Sequence, residues 1–227
     1  MDKFNIAIDG PGAAGKSTVA RLVAKQLGFI YVDTGAMYRA VTWKALQTGL
    51  SPDRPEELAR MAAALRIELH PGEHAQQVLL DGYDVTDVIR SVAVTQHVSA
   101  VAAIPEIRRL LVAKQQEMAR SKGVVMDGRD IGTHVLPDAE LKIFLTASVK
   151  ERAERRYMEM KAKNEDVTLE QVEKEIAERD RMDEQRAASP LVQAEDAILL
   201  DTSGMSVSEV AERILSLAKS AAGKGIR

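Results

Sequence analysis

Gly10-Pro11-Gly12-Ala13-Ala14-Gly15-Lys16-Ser17 constrains this chain more than any other stretch. Its spacing is G-x-x-x-x-G-K-[ST]. The apolar run Phe4-Asn5-Ile6-Ala7-Ile8 precedes it, and a helix-like segment from about Lys16 to Leu27 follows, stopped by Gly28. Strand, small-residue loop and helix in that order make a phosphate cradle. Small residues let backbone N–H groups close around phosphate oxygens. The helix N-terminus adds the positive end of its dipole. The candidate phosphate contacts are Gly10, Pro11, Gly12, Ala13, Ala14, Gly15, Lys16, Ser17 and the adjacent Thr18. Lys16 has the reach to meet the β- and γ-phosphates of a nucleoside triphosphate, and the Ser17 hydroxyl can ligate Mg²⁺.

Similar strand–helix alternation organises most of the chain. Phe29-Ile30-Tyr31-Val32 leads into a helix from about Ala36 to Thr48, closed by Gly49. Later apolar runs are Val124–Met126, Leu141–Leu145 and Ala197–Leu200. Near-continuous apolar strands separated by helices predict a parallel sheet covered on both faces. Ser148 with Glu151, Thr168 with Gln171, and Ser206 with Glu209 have capping-box spacing. Pro55 to Leu65 reads as a helix, and Trp43 as a core residue within another. Residues 66–90 differ: Ile67 and Leu69 alternate with polar residues, Pro71-Gly72 and Asp81-Gly82 turn, and Val78–Leu80 is strand-like. This β-rich insertion is either a substrate-side subdomain or a surface hairpin.

Composition removes several chemistries. There is no cysteine, so thiolate catalysis, iron–sulfur clusters and cysteine-bound zinc are excluded. His70, His74, His97 and His134 form no ligand-spaced pair. The net charge of −3 argues against nucleic-acid binding through bulk positive charge. Met1 to Asp9 does not read as a signal peptide, and no apolar stretch approaches the roughly 20 residues that span a bilayer. A cytoplasmic setting without membrane contact is the expectation.

Positive charge is placed rather than spread. Arginine outnumbers lysine, 18 to 13. Arg39 follows Asp33-Thr34-Gly35-Ala36-Met37-Tyr38; a turn at Gly35 would present Thr34, Tyr38 and Arg39 at the carboxyl edge of a strand, where open parallel sheets bind ligands. Arg39 is then a candidate bidentate phosphate clamp, or a surface residue on an amphipathic helix. Asp127-Gly128-Arg129-Asp130 also stands where a strand should end; Asp127 can orient Mg²⁺ through water or cap the next turn. Residues 151–186 carry Arg152, Arg155, Arg156, Arg179, Arg181 and Arg186 among twelve acids, which suits helices that turn only a few arginines inward. The polar stretch 161–166 is a candidate hinge for a mobile lid bringing Arg onto transferring phosphates.

Together these residues resemble the bacterial-type cytidylate kinases, within the nucleoside monophosphate kinases. The resemblance runs essentially end to end. It rests on Ile8-Asp9-Gly10-Pro11 through Ser17, Asp33–Arg39, Asp81-Gly82-Tyr83-Asp84-Val85-Thr86 with Ile89-Arg90, and Val98-Ser99-Ala100 with Pro105 and Arg108. It continues through Asp127–Thr133, Arg179-Asp180, Asp183, Arg186, Pro190-Leu191 and Asp201-Thr202. It implies an α/β P-loop NTPase fold with a five-stranded parallel sheet, a core of residues 1–65 and 91–227, a nucleotide-binding insertion at 66–90 and a helical lid at about 151–167. It implies transfer of phosphate from Mg²⁺-bound ATP to CMP or dCMP, by a monomer. By the same resemblance Ser99, Arg108 and Asp130 read cytosine, Thr34, Tyr38, Arg39 and Arg129 hold the acceptor phosphate, and Arg179, Asp183 and Arg186 face the sugar. Lys16, Arg129 and the lid arginines Arg152 and Arg156 are the catalytic set. Gln185 departs from the shorter polar residue expected beside Arg186.

A kinase acting on UMP or AMP shares the generic features, and a nucleotide-sensing module could use the same loop as a switch. Turnover with a panel of acceptors separates all three.

Overall fold

The computed structural model describes residues 3–72, 76–162 and 166–224. Five strands form a parallel sheet: β1 (Asn5–Asp9), β2 (Ile30–Asp33), β6 (Val124–Gly128), β7 (Leu141–Thr146) and β8 (Ile198–Asp201), in the order β2-β6-β1-β7-β8. The central strands β6, β1 and β7 are mainly apolar because both their faces are covered, edge strand β8 is largely exposed, and the two-residue period divides the buried side chains between two cores. Ile6, Ile8, Val125, Ile143 and Leu145 point to one face, against Val19 and Val23 of α1 (Lys16–Leu27) and Val210 and Ile214 of α8 (Val207–Lys224). Ala7, Val32, Val124 and Met126 point to the other, against Ile131 and Val135 of a π-helical turn at Ile131–Val135.

A third core lies beside the sheet. The sheet β3 (Ile67–His70), β4 (Gln77–Leu80) and β5 (Tyr83–Asp84) is antiparallel. Its Ile67, Val78 and Leu80 pack with Met37 and Val41 of α2 (Thr34–Thr48), Leu58 of α3 (Pro55–Ala64), Val98 of α4 (Val92–Ala102) and Ile107 and Leu111 of α5 (Pro105–Ala119). The small sheet is therefore not a loose hairpin; it shares its buried surface with four helices. Trp43 packs partly buried against the same core. A small fourth cluster holds α6 (Val149–Ala162) to α7 (Leu169–Gln185) through Ala153, Met160, Val172 and Ile176.

Thr168 and Gln171 close a full capping box, as do Ser206 and Glu209, whose side chain and backbone groups exchange bonds of 2.8 and 3.3 Å. Ser148 accepts from Glu151 N at 3.2 Å, while the Glu151 carboxylate turns to Ser148 Oγ, Ser203 Oγ and Gly204 N. This ties the root of α6 to the loop after β8. The expected turn at Gly35 does not form. Asp33 is a strong N-cap whose carboxylate accepts from Ala36 N at 2.9 Å, so the helix starts at Thr34 and Gly35 lies in its first turn. In the expected hinge 161–166, residues 163–165 lie outside the described residues. Among the described residues no helix is long and apolar enough to cross a membrane.

Candidate active site

Three adjacent strands end in, or just before their ends carry, an aspartate at the carboxyl edge of the large sheet. Asp33 and Asp127 are register partners, and Asp9 pairs with Gly128. Each carboxylate does a different job. Asp33 caps α2 and pairs with Arg90 at 3.0 Å. Asp9 accepts from Ile131 N at 2.8 Å and Gly132 N at 2.7 Å, which fixes the turn that follows Asp130. Asp127 accepts from Ser17 Oγ at 2.9 Å and Tyr31 Oη at 2.7 Å. Burial raises Asp9 and Asp127 each to about 6; the two backbone N–H bonds pull Asp9 back down, while the Asp33 charge pushes Asp127 further up.

The phosphate loop leaves β1 through Gly10, whose φ of +146° is closed to other residues; a Cβ there would lie 2.1 Å from Leu145 O. Ala13 adopts a left-handed conformation at φ +57°. Lys16 is buried and donates to Pro11 O at 2.6 Å. Burial, and next the Arg129 charge, push its ammonium well below its ordinary pKa. Ser17 and Thr18 open α1 on its exposed side. The pairing of Ser17 with Asp127 offers hard oxygen donors and negative charge beside the loop. Among the described residues no cluster of three carboxylate or imidazole groups forms a metal cage. Such a donor set suits Mg²⁺, which takes one or two protein oxygens and completes its shell with water and phosphate.

Facing the loop is a concentration of guanidinium groups. Arg129 donates from Nε to Asp183 at 2.8 Å, and its own charge is held firmly despite burial. Arg39 donates to Thr95 Oγ1 at 2.8 Å and Ile89 O at 3.3 Å. Burial, then repulsion from Arg179 and Arg90, lowers Arg39 to about 9. Burial and repulsion from Arg129 lower Arg179 to about 10. Arg129 and Arg179 meet the phosphate loop at Gly12, where a Cβ would lie 3.7 Å from Arg129 Nη2 and 3.8 Å from Arg179 Nη1. Thr34 Oγ1 donates to Asp127 O at 2.7 Å, across the space above Gly128.

Deeper on the same side, Arg108 pairs with Asp130 and donates to Ala102 O at 3.0 Å. Its guanidinium lies 5.3 Å from the Tyr38 ring centroid. Arg186 stands 3.7 Å from Asp130 and 3.8 Å from Asp183. Ser99 is buried on α4, which packs against α7. Tyr38 Oη, Arg108 Nε, Arg179 Nε and Arg186 Nη2 are buried without a hydrogen-bond partner among the described residues. Only Gln115 Oε1 joins them there. Such atoms cost roughly 1–3 kcal/mol each, so their gathering marks a place built for more than folding.

From the lid side, Arg152 reaches Gly12 O at 2.9 Å and Asp180 at 2.7 Å. Arg156 instead pairs with Glu159 at 3.2 Å on the surface of α6, although its charge still repels Arg179. The structure thus links the sequence-predicted residues Lys16, Ser17, Thr34, Tyr38, Arg39, Arg108, Arg129, Asp130, Arg152, Arg179, Asp183 and Arg186 through contacts or near neighbours, while Ser99 is buried on α4, Thr18 lies exposed and Arg156 stands at the margin. Asp9, Tyr31, Asp33, Arg90 and Asp180 were not among those residues. The aspartates ending successive strands were the available signal for two of them; Tyr31 and Arg90 act across elements far apart in sequence.

The chain matches the family model described as Cytidylate kinase over residues 6–220. It is 53% identical to a cytidylate kinase of Bacillus cereus (strain ATCC 10987 / NRS 248) over 96% of this chain and 97% of that one. It is likewise 53% identical to a cytidylate kinase of Bacillus cytotoxicus, over 99% and 100%. Among solved structures, an uncharacterized protein from Eubacterium ventriosum superposes with a TM-score of 0.52 at 13% identity, covering 96% of this chain and 99% of that one, a likeness of fold alone. With the phosphate loop, the guanidinium cluster and near-complete coverage at this identity, the chain belongs to the cytidylate kinase family.

Proposed function

We propose that this enzyme transfers the γ-phosphoryl group of ATP directly to CMP and dCMP, giving ADP and the diphosphate. The observation that carries the reading is the set of buried donors without a hydrogen-bond partner among the described residues, on Tyr38, Arg108, Arg179 and Arg186, with Arg179 lying against Gly12 of the phosphate loop. A binding loop for ATP alone would leave these donors without purpose.

In this reading Gly10 to Thr18 hold the donor phosphates. Ser17, with Asp127 behind it, would hold Mg²⁺, which neutralises phosphate charge when bound. Thr34, Tyr38, Arg39 and Arg129 take the acceptor phosphate; Arg179, Asp183 and Arg186 take the sugar. Ser99, Arg108 and Asp130 read the base, since a carboxylate accepts from the exocyclic amine of cytosine while arginine and serine donate to its ring acceptors. The attacking group is a phosphate oxygen that is already anionic, so no strong general base is required. Positioning and charge neutralisation by Lys16, Arg129 and Arg152 supply the catalysis, with Arg156 reaching in from the lid. No covalent intermediate forms.

The residues 66–90 act as the acceptor-side insertion, about 151–167 as the lid, and the remainder as the core. The reading extends to a monomer acting on two small-molecule substrates. Mg²⁺-bound ATP and nucleoside monophosphates point to a cytoplasmic setting. A coupled assay with CMP, dCMP, UMP and AMP tests the reading. Turnover of CMP and dCMP well above the others is expected; efficient AMP turnover with none on CMP would overturn it.

A further inference from the structure

Asp180 and Arg152 grip both backbone polar groups of one phosphate-loop residue. Gly12 N donates to Asp180 Oδ1 at 3.4 Å, and Gly12 O accepts from Arg152 Nη1 at 2.9 Å. The two side chains are themselves paired at 2.7 Å, and both are buried. Arg152 Nε also donates to Ala147 O at 2.9 Å, so its stem is tied to the root of α6. Its partner Asp180 stands on the neighbouring helix α7, which packs against α6 through Ala153, Met160, Val172 and Ile176.

Helix α7 also carries the acceptor-facing residues. Arg179, Asp180 and Asp183 lie within two turns of α7, and Arg186 is its C-cap. Their spacings of three and four place them on neighbouring rows of one helix face. Asp183 is held by Arg129, and Arg186 stands near Asp130. A helix is stiff along its axis, so a ligand that draws Arg179, Asp183 and Arg186 inward also drives Asp180 toward Gly12. We infer that Asp180 is a positioning residue that couples acceptor occupancy to the seating of Arg152 on the phosphate loop. This rests on the proposed acceptor site but assigns to Asp180 no contact with either nucleotide.

The consequence is synergy: each substrate tightens the other by the same factor. It is read by titrating a fluorescent non-hydrolysable ATP analogue with Mg²⁺, with and without saturating CMP. Wild type should bind the analogue about tenfold more tightly when CMP is present, within the usual range of coupling. Asp180→Asn keeps the shape but loses the charge that holds Arg152. It should bring the two affinities within about twofold and lower kcat by roughly 10–100-fold, with the affinity for CMP alone nearly unchanged. Arg152→Lys, which keeps a charge but cannot bridge Gly12 and Asp180 together, should abolish the synergy equally. The double variant should then lose no more than either single one.

Synergy intact in either folded variant, or absent from wild type, overturns the inference. So does a loss of CMP affinity equal to the loss of synergy, which would make Asp180 a direct acceptor contact. Should Asp180→Asn fail to fold, Arg152→Lys alone decides. If wild type turns over another monophosphate in place of CMP, the functional reading fails, and the same titration with that acceptor still tests the coupling.

Discussion

Arg108 and Asp130 face one another across a nearly dry interface, each side chain about 4–5% exposed. Arg108 lies beneath the Tyr38 ring and holds Ala102 O as well, so the arginine stays where it is when its partner changes. Removing one member of such a pair typically costs about 3–5 kcal/mol, because the other charge is left buried. Asp130→Asn should therefore lower the thermal midpoint markedly, with CMP rescuing part of the loss. Its CMP-over-UMP ratio of kcat/KM should fall by about 10²-fold or more, while affinity for ATP holds. Equal losses on every acceptor would remove Asp130 from base reading.

Lys16 presents the opposite balance of stability and activity. Its ammonium is held in the fold against burial and against Arg129. Lys16→Met removes that strain and the charge that follows the moving phosphoryl group. Turnover should drop by about 10²–10³-fold, with a thermal midpoint equal to wild type or higher. A variant that loses stability along with activity would point to a structural lysine.

Arg39 is destabilised by its surroundings until an anion arrives. Burial and the charges of Arg179 and Arg90 weaken its hold on its proton. A phosphate placed among these guanidinium groups reverses the repulsion. CMP should therefore raise the thermal midpoint of wild type by more than it raises that of Arg39→Met, and the variant should show at least a tenfold rise in KM for CMP. Cytidine, which lacks the phosphate, should stabilise the two proteins alike.

Asp9 sets a pH dependence of stability with a definite sign. Its carboxyl moves from 3.8 to about 6 on folding, chiefly through burial. Between those values the folded chain keeps a proton that the unfolded chain has released. The contribution of Asp9 to stability is therefore greatest near pH 4, declines as pH rises to about 6, and is level above that. A two-unit shift corresponds to about 3 kcal/mol. In urea unfolding, the stability of wild type minus that of Asp9→Asn should shrink by about that amount between pH 4 and pH 7. A difference that grows over the same range would refute the assignment.

Much of this was legible in the chain. The strand–loop–helix around Lys16 announced both fold and donor site, since the small residues and the helix start are local requirements. Arg39 and Arg129 stand out by their places at strand ends and Arg186 as one of the clustered arginines, whereas Arg108 is visible only through the resemblance; the partners of all four lie elsewhere in the chain, as Thr95 does for Arg39 or Asp183 for Arg129. Helix α2 starts at Thr34, two residues before the expected Ala36, because the Asp33 cap outcompetes Gly35 for control of the turn. Asp180 was quoted only as the neighbour of Arg179; its work at Gly12 crosses 168 positions, which no local pattern encodes.

The core shared by β3–β5 with α2 to α5 is distinct from the two cores that cover the large sheet and meets one of them at Leu69 and Met118, which pack against both. Of the residues proposed to read the base, Ser99 and Arg108 stand on helices of this third core, whereas Asp130 follows β6 of the large sheet. Changes at Ser99 or Arg108 are therefore absorbed by packing that the strands around Lys16 do not share, while a change at Asp130 is not.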